Sequence, residues 1–231
     1  TGRTAVAVSA GNGHTCAILD NGDLKCWGGD NYGQLGNNGS NIATNAPSST
    51  PIDLGTGRTA VAVSAGTSYT CAILDNGDLK CWGWDNYGQL GDGGTQHTTY
   101  TYTTAPSSTA IDLGTGRTAV AVSAGTYHTC AILDNGDAKC WGRQDAGQLG
   151  QGSSSSVGQT TPVLVAGSNT WDSSTGASSG SSGGMTNVTG ATCTVSPALP
   201  VGLFIDSNTC TISGTPSVAT SNTTYTVTAN I

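Results

Sequence analysis

Residues 4–9, Thr-Ala-Val-Ala-Val-Ser, alternate apolar with small side chains, a pattern that predicts a strand buried on both faces. A Gly-rich turn at residues 11–13 leads into His14-Thr-Cys-Ala-Ile-Leu. After Asp20, Asn21 and Gly22 comes Leu24-Lys-Cys-Trp-Gly. Asp-Asn-Gly between two apolar runs predicts a three-residue hairpin loop, a type I turn closed by a left-handed glycine. That loop sets Leu19 opposite Asp23, Ala17 opposite Lys25 and Cys16 opposite Cys26. The cysteines then fall on a non-hydrogen-bonded pair, where Cα atoms sit about 4.5 Å apart, inside the window for a disulfide. Residues 28–36 read as a loop with one buried leucine, Leu35. A polar excursion, 37–49, leads to a short strand expected at 51–54.

The whole pattern returns. Thr-Gly-Arg-Thr-Ala-Val-Ala-Val-Ser-Ala-Gly opens at Thr1, Thr56 and Thr115, at intervals of 55 and 59 residues. The same register pairs Cys71 with Cys81 and Cys130 with Cys140. Four short strands per repeat is the size of a propeller blade. The excursions differ in each copy (37–49, 92–108 and 151–161), so recognition would sit there, with Tyr100 and Tyr102 the most aromatic part. Trp84, Tyr32 and Tyr87 lie in the loop after the hairpin and are expected to be exposed. Trp27, Trp82 and Trp141 recur once per repeat, which favours packing between blades over ligand stacking.

From residue 168 to 184 the composition turns to Ser, Gly and Thr, a flexible linker apart from Trp171, which is expected to dock on a neighbouring surface. Residues 185–231 form a second module. It carries Cys193 and Cys210 as a fourth pair and strand-like alternation at 209–213 and 224–228.

Composition narrows the compartment and the partners. Charged residues make up 9% of the chain, there is no Glu, and the eight cysteines are even in number. Paired cysteines in such a chain fit an extracellular or cell-surface location in an oxidising place. The net charge of −7, with seven scattered cations, argues against nucleic acid. No apolar run is long enough to span a membrane as a helix. The chain opens at Thr1 without a leader segment, as a processed chain or a piece of a longer one would. Asn38, Asn187 and Asn222 begin N-glycosylation triplets.

Catalytic and metal chemistry find little support. His14 and His128 precede Thr-Cys, but Tyr69 holds that place in the middle repeat, so a ligand or base is not expected there. His97 has no acidic or cysteine neighbour in sequence. Asp20 and Asp23, or Asp30 and Asp85, lack the spacing of a calcium loop. Cysteines nine residues apart do not have zinc-finger spacing. No nucleophile elbow, phosphate loop or acid–base carboxylate pair is present. The expectation is a non-enzyme without metal or cofactor.

Val-Ala-Val-Ser-Ala-Gly, His-Thr-Cys-Ala-Ile-Leu, Asp-Asn-Gly-Asp-Leu-Lys-Cys-Trp-Gly and Tyr-Gly-Gln-Leu-Gly, recurring in that order, resemble the repeat of the regulator of chromosome condensation family. The resemblance covers residues 1–167, in repeats 1–55, 56–114 and 115–167, and implies an all-β propeller, usually of seven blades. The cysteine pair departs from the cytosolic members and looks like an extracellular branch. Residues 185–231 resemble the immunoglobulin-like modules of microbial cell-surface proteins, implying a β-sandwich, short for its kind. Its family's first strand is not evident, which leaves an open edge or a truncation. Three blades do not close a ring. The leading expectation is therefore an extracellular structural protein whose partners are copies of itself, in a ring or filament. The alternative is an adhesin or recognition fragment of a longer surface protein, with a closed propeller that binds surface glycans or proteins.

Overall fold

The computed structural model describes residues 2–39, 42–94 and 101–167, together with the backbone of four later strands. The chain divides into two compact units, Thr1–Trp171 and Asp172–Ile231. The first unit is all-β. Strands β1 (Ala5–Ala10), β2 (His14–Leu19) and β3 (Leu24–Gly28) make a three-stranded antiparallel sheet, extended by one bridge from Gly28 to Thr44. β4 (Ala60–Ala65), β5 (Tyr69–Leu74), β6 (Leu79–Trp84) and β7 (Tyr102–Thr103) make the second sheet, with four strands. β8 (Ala119–Ala124), β9 (His128–Leu133), β10 (Ala138–Gln144) and β11 (Ser155–Leu164) make the third, also with four.

The hairpin register follows from the turn. Cys16 faces Cys26 and Ala17 faces Lys25, and the glycine ending each turn has φ near +80° (Gly22 80°, Gly77 81°, Gly136 86°). Three disulfides join Cys16–Cys26, Cys71–Cys81 and Cys130–Cys140 across a Cα separation of 4.1 Å. That is the narrow spacing of a non-hydrogen-bonded pair.

Two expectations about strands are corrected. The fourth strand of a blade is not residues 51–54. Pro51 has no N–H to give, and Ile52 makes one bond, its N–H to the Leu24 carbonyl. The fourth strands come instead from the excursions, as Tyr102 pairs with Trp84 and Gln159 with Gly142. Nor is the first strand buried on both faces. It is an edge of each of the three sheets of the first unit, and Val6, Val61 and Val120 are exposed there.

Hydrophobic cores lie between sheets. One joins Cys16, Ile18, Leu24 and Leu35 of the first blade to Ala60, Ala72, Leu74 and Trp82 of the second. The other joins Tyr69, Ile73, Leu79 and Leu90 to Ala119, Leu133 and Trp141 of the third. A single sheet with one side bare would bury little, so each blade depends on its neighbour.

In the second unit, β12 (Thr192–Ser196) pairs with β15 (Thr226–Asn230), and β13 (Leu203–Ile205) with β14 (Ile212–Gly214). Cys210, Asn187, Asn222, Tyr100, His97 and Trp171 lie outside the described residues, as does the side chain of Cys193.

Candidate recognition surface and the open blade faces

Each junction between blades is built from the same atoms. Between blades one and two, the Trp82 indole N–H donates to the Gln34 carbonyl at 3.1 Å, and the Thr70 hydroxyl donates to the same oxygen at 2.9 Å. Ala65 N–H donates to Ser9 Oγ, and Ala60 N–H to the Gly22 carbonyl. Between blades two and three, Trp141 and Thr129 lie on the Gln89 carbonyl at 2.9 and 2.8 Å. Ala124 N–H donates to Ser64 Oγ, and Ala119 N–H to the Gly77 carbonyl. The indole packs closely against a glycine: a Cβ on Gly36 would stand 2.5 Å from Trp82 Nε1, and one on Gly91 would meet Trp141 equally closely.

The residue before each Thr-Cys belongs to this junction. His14 Nε2 lies 2.8 Å from Thr70 Oγ1 of the next blade. Since Thr70 gives its proton to Gln34, His14 donates from Nε2, and its Nδ1 is buried without a partner. Burial pushes the His14 pKa down to about 4, so the ring is neutral. Tyr69 does the same work in the middle blade, its hydroxyl donating to the His128 carbonyl.

At the two ends this junction is half made. In blade one, Trp27 is half-buried and Ala5, Ala10 and Val8 are exposed, whereas their counterparts in the other blades are wholly or partly covered. Val8 is 70% exposed. In blade three, Ile132 is 40% exposed, although Ile18 and Ile73 at the same position are 2% exposed. The carbonyl of Gln148 and the ring of His128 stand where Gln34 and His14 receive a neighbour. Here Val165 leans over Gly150, with Cγ1 2.8 Å from a Cβ placed there, in the position the next indole takes elsewhere.

A second feature sits at one end of the blades. When residues 1–36, 56–91 and 115–150 are superposed as repeats, eight of the 36 positions differ: 12, 13, 14, 24, 29, 30, 31 and 32 in the first copy. Seven of these eight lie at the blade end away from the hairpin turns. Positions 13 and 29 are backbone neighbours there, through Gly29 N–H to Gly13 O, Trp84 N–H to Ser68 O and Arg143 N–H to Tyr127 O. The pair reads Gly/Gly, Ser/Trp and Tyr/Arg along the three blades.

Those side chains meet. Tyr32 stacks on Trp84 at 5.6 Å between centroids and meets Tyr102 edge-on at 6.3 Å. Trp84 abuts Tyr127 at 5.1 Å, and Tyr87 lies 5.0 Å from Tyr127. The Arg143 guanidinium stands 5.3 Å over Tyr87 and 5.5 Å over Tyr127, and pairs with Asp145. The hydrogen bond from Arg143 holds the Asp145 carboxyl below its usual range. The indole N–H of Trp84 is buried without an acceptor.

Trp84 and Tyr102, picked out in the sequence, are thus brought together, with Tyr32 and Tyr87. Trp84 ends strand β6, and with Tyr32 and Tyr87 it is half-buried by ring packing, which corrects the expectation of exposed loop residues. Tyr127, Arg143 and Asp145 belong to no motif of their own and stand out in the sequence only as departures from the repeat. Asn38 is exposed at φ 52°, its backbone N–H on the Thr104 carbonyl. Asp20, Asp75 and Asp134 sit at the opposite end, each paired with an arginine (Arg3, Arg58 and Arg117).

The regulator of chromosome condensation (RCC1) repeat matches residues 5–34, 60–89 and 119–148 in one form, and 21–73 and 76–132 in another. The family described as Putative Ig domain matches 152–230, so its first part overlaps β11, which pairs with β10 as the outer strand of blade three. The E3 ubiquitin-protein ligase HERC2 of Homo sapiens is 29% identical over 161 residues, 70% of this chain and 3% of the ligase. The Ultraviolet-B receptor UVR8 of Arabidopsis thaliana is 32% identical over 161 residues, 68% of this chain and 33% of the receptor. Among solved structures, Prp20p of Saccharomyces cerevisiae superposes with a TM-score of 0.59 at 20% identity, over 70% of this chain and 38% of that one. Human WBSCR16 superposes with 0.58 at 22% identity, over 70% and 39%. These likenesses give the fold of the blades. The chain thus spans 3% and 33% of the two curated relatives named.

Proposed function

The chain carries regulator of chromosome condensation repeats followed by an immunoglobulin-like module, and we propose that it is a non-enzymatic structural protein of an extracellular or cell-surface setting whose blades associate head to tail with those of another copy. The observation that carries this reading is the complementarity of the two open faces. Blade one offers an indole, a threonine and exposed Ala5, Val8 and Ala10. Blade three offers the Gln148 carbonyl, His128 and Ile132. These are the groups that join within each internal junction. A heterologous contact of this kind repeats, giving a ring if its rotation closes and a filament if it does not. Three disulfides support an oxidising compartment. No described helix is long and apolar enough to cross a membrane.

Multi-angle light scattering over a concentration series tests the reading. The expected result is mass growing in steps of the 22.9 kDa subunit. Trp27→Ala, which removes an indole that meets no carbonyl within the described chain, should hold the protein at one subunit and leave the melting temperature of the dilute chain unchanged. Val165→Ala, which clears Gly150, should shift assembly to lower concentration. A wild-type chain that stays monomeric at millimolar concentration would favour filling of the open faces by further blades of one longer polypeptide.

A further inference from the structure

The aromatic end of the blades points to a second activity, independent of assembly. We propose that Tyr32, Trp84, Tyr87, Tyr102, Tyr127 and Arg143 form a binding site for a neutral saccharide.

Three observations lead there. The first is where the repeats depart from one another. Twenty-eight of the 36 superposed positions are identical in all three copies, and they include most of the residues that build hairpins and junctions. The departures gather at one end, where two glycines of blade one become Trp84 in blade two, then Tyr127 and Arg143 in blade three. Position 14 changes from His to Tyr within the junction itself, but positions 13 and 29 supply no side chain to the junction bonds described above. Folding is served by glycine at positions 13 and 29, so the large side chains at 84, 127 and 143 answer to something other than the fold.

The second is the chemical make-up of the patch. It contains aromatic rings with Asn31, Asn86 and Asp145 beside them, and none of the six side chains named is aliphatic. Tyr, Trp and Arg are also enriched at protein interfaces, so a peptide is the competing occupant. A sugar ring offers C–H groups on its faces and hydroxyls around its edge, so it is matched by flat rings with amide and carboxylate groups at their margin. Asn86 uses Oδ1 to accept from Thr101 N–H, and Asn31 is exposed.

The third is charge. A cationic ligand would seek the faces of Tyr87 and Tyr127, but the Arg143 guanidinium already stands over both. An anionic ligand would seek Arg143, but Asp145 is bonded to it through Nε and Nη2. Both charge-selective positions are filled from within the chain, leaving a neutral ligand.

The test is isothermal titration calorimetry of the full chain with neutral hexasaccharides of glucose, N-acetylglucosamine and mannose, together with a proline-rich decapeptide. At least one hexasaccharide should bind. Trp84→Ala and Tyr127→Ala should each weaken that binding at least tenfold. Trp84→Phe, which keeps a ring, should weaken it less, and Trp27→Ala should leave it unchanged while abolishing head-to-tail growth. Tyr102→Ala, at a side chain 39% exposed, supplies a variant whose folding is not at risk and should also weaken binding. No binding by any of the three sugars, binding that survives both Trp84→Ala and Tyr102→Ala, or decapeptide binding lost in the same variants would each overturn the proposal.

Discussion

Among single residues, the buried titratable groups give the sharpest expectation. Burial raises the carboxyl of Asp85 to about 7, against one hydrogen bond from Leu90 N–H that works the other way. A folded-state pKa above the unfolded one means the folded chain holds its proton longer. The stability this brings is full below about pH 4 and is lost as pH climbs through 7. His14 runs the other way: its folded pKa is near 4, so the unfolded chain takes the proton first and stability falls as pH drops below 6.5. The two slopes oppose each other over nearly the same window. Replacing Asp85 by Asn removes one of them. In Asp85→Asn, stability by chemical denaturation should rise steadily from pH 4 to 6.5, and exceed that of the wild type at pH 8 by on the order of 2 kcal/mol. Equal pH profiles for variant and wild type would show that Asp85 is not charged at a cost in the fold. The third repeat already carries the neutral solution, with Gln144 at this position.

Among elements, the stapled hairpin was legible in the sequence because turn chemistry fixes register locally. Asp20, Asn21 and Gly22 determine which cysteine faces which, and nothing distant is needed. The same locality explains what could not be read. Alternation in residues 4–9 reports small and apolar side chains but not that the strand sits at a sheet edge, since edge or centre is decided by strands elsewhere in the chain. The fourth strand escaped for a similar reason, because Tyr102–Thr103 is two residues long and is defined only by its pairing with Gly83 and Trp84. The aromatic site was half legible, as Trp84 and Tyr102 stood out by type while Tyr127 and Arg143 needed the repeats compared. A disulfide closing so short a hairpin is worth roughly 2.5–3 kcal/mol in the chain-entropy model. Cys71→Ala with Cys81→Ala should therefore lower unfolding free energy by about 2–5 kcal/mol. The middle hairpin is the instructive one, because β5 is buried along its whole length and refolding cannot relax it into solvent.

For the blade unit as a whole, stability should be distributed unevenly, because its cores lie between sheets. Three sheets give two cores, so the middle blade is covered on both sides and the outer two on one. Every residue of β5 is buried, while β2 and β9 each show partly open positions and β9 leaves Ile132 40% exposed. In a repeat array, stability adds up from neighbour contacts, so a blade with one neighbour opens more readily than a blade with two. Amide hydrogen exchange at low protein concentration should show protection highest in β5 and β6, and lower in β2 and β3 and in β9 and β10. Raising the concentration into the range where mass grows should then protect both outer hairpins together, since one head-to-tail contact covers Trp27 on one copy and Ile132 on the other. Trp27→Ala should leave the low-concentration pattern alone and remove its concentration dependence. Uniform protection across the three hairpins in the dilute chain would mean that the outer faces are already covered, and would turn the search from a second copy to what covers them.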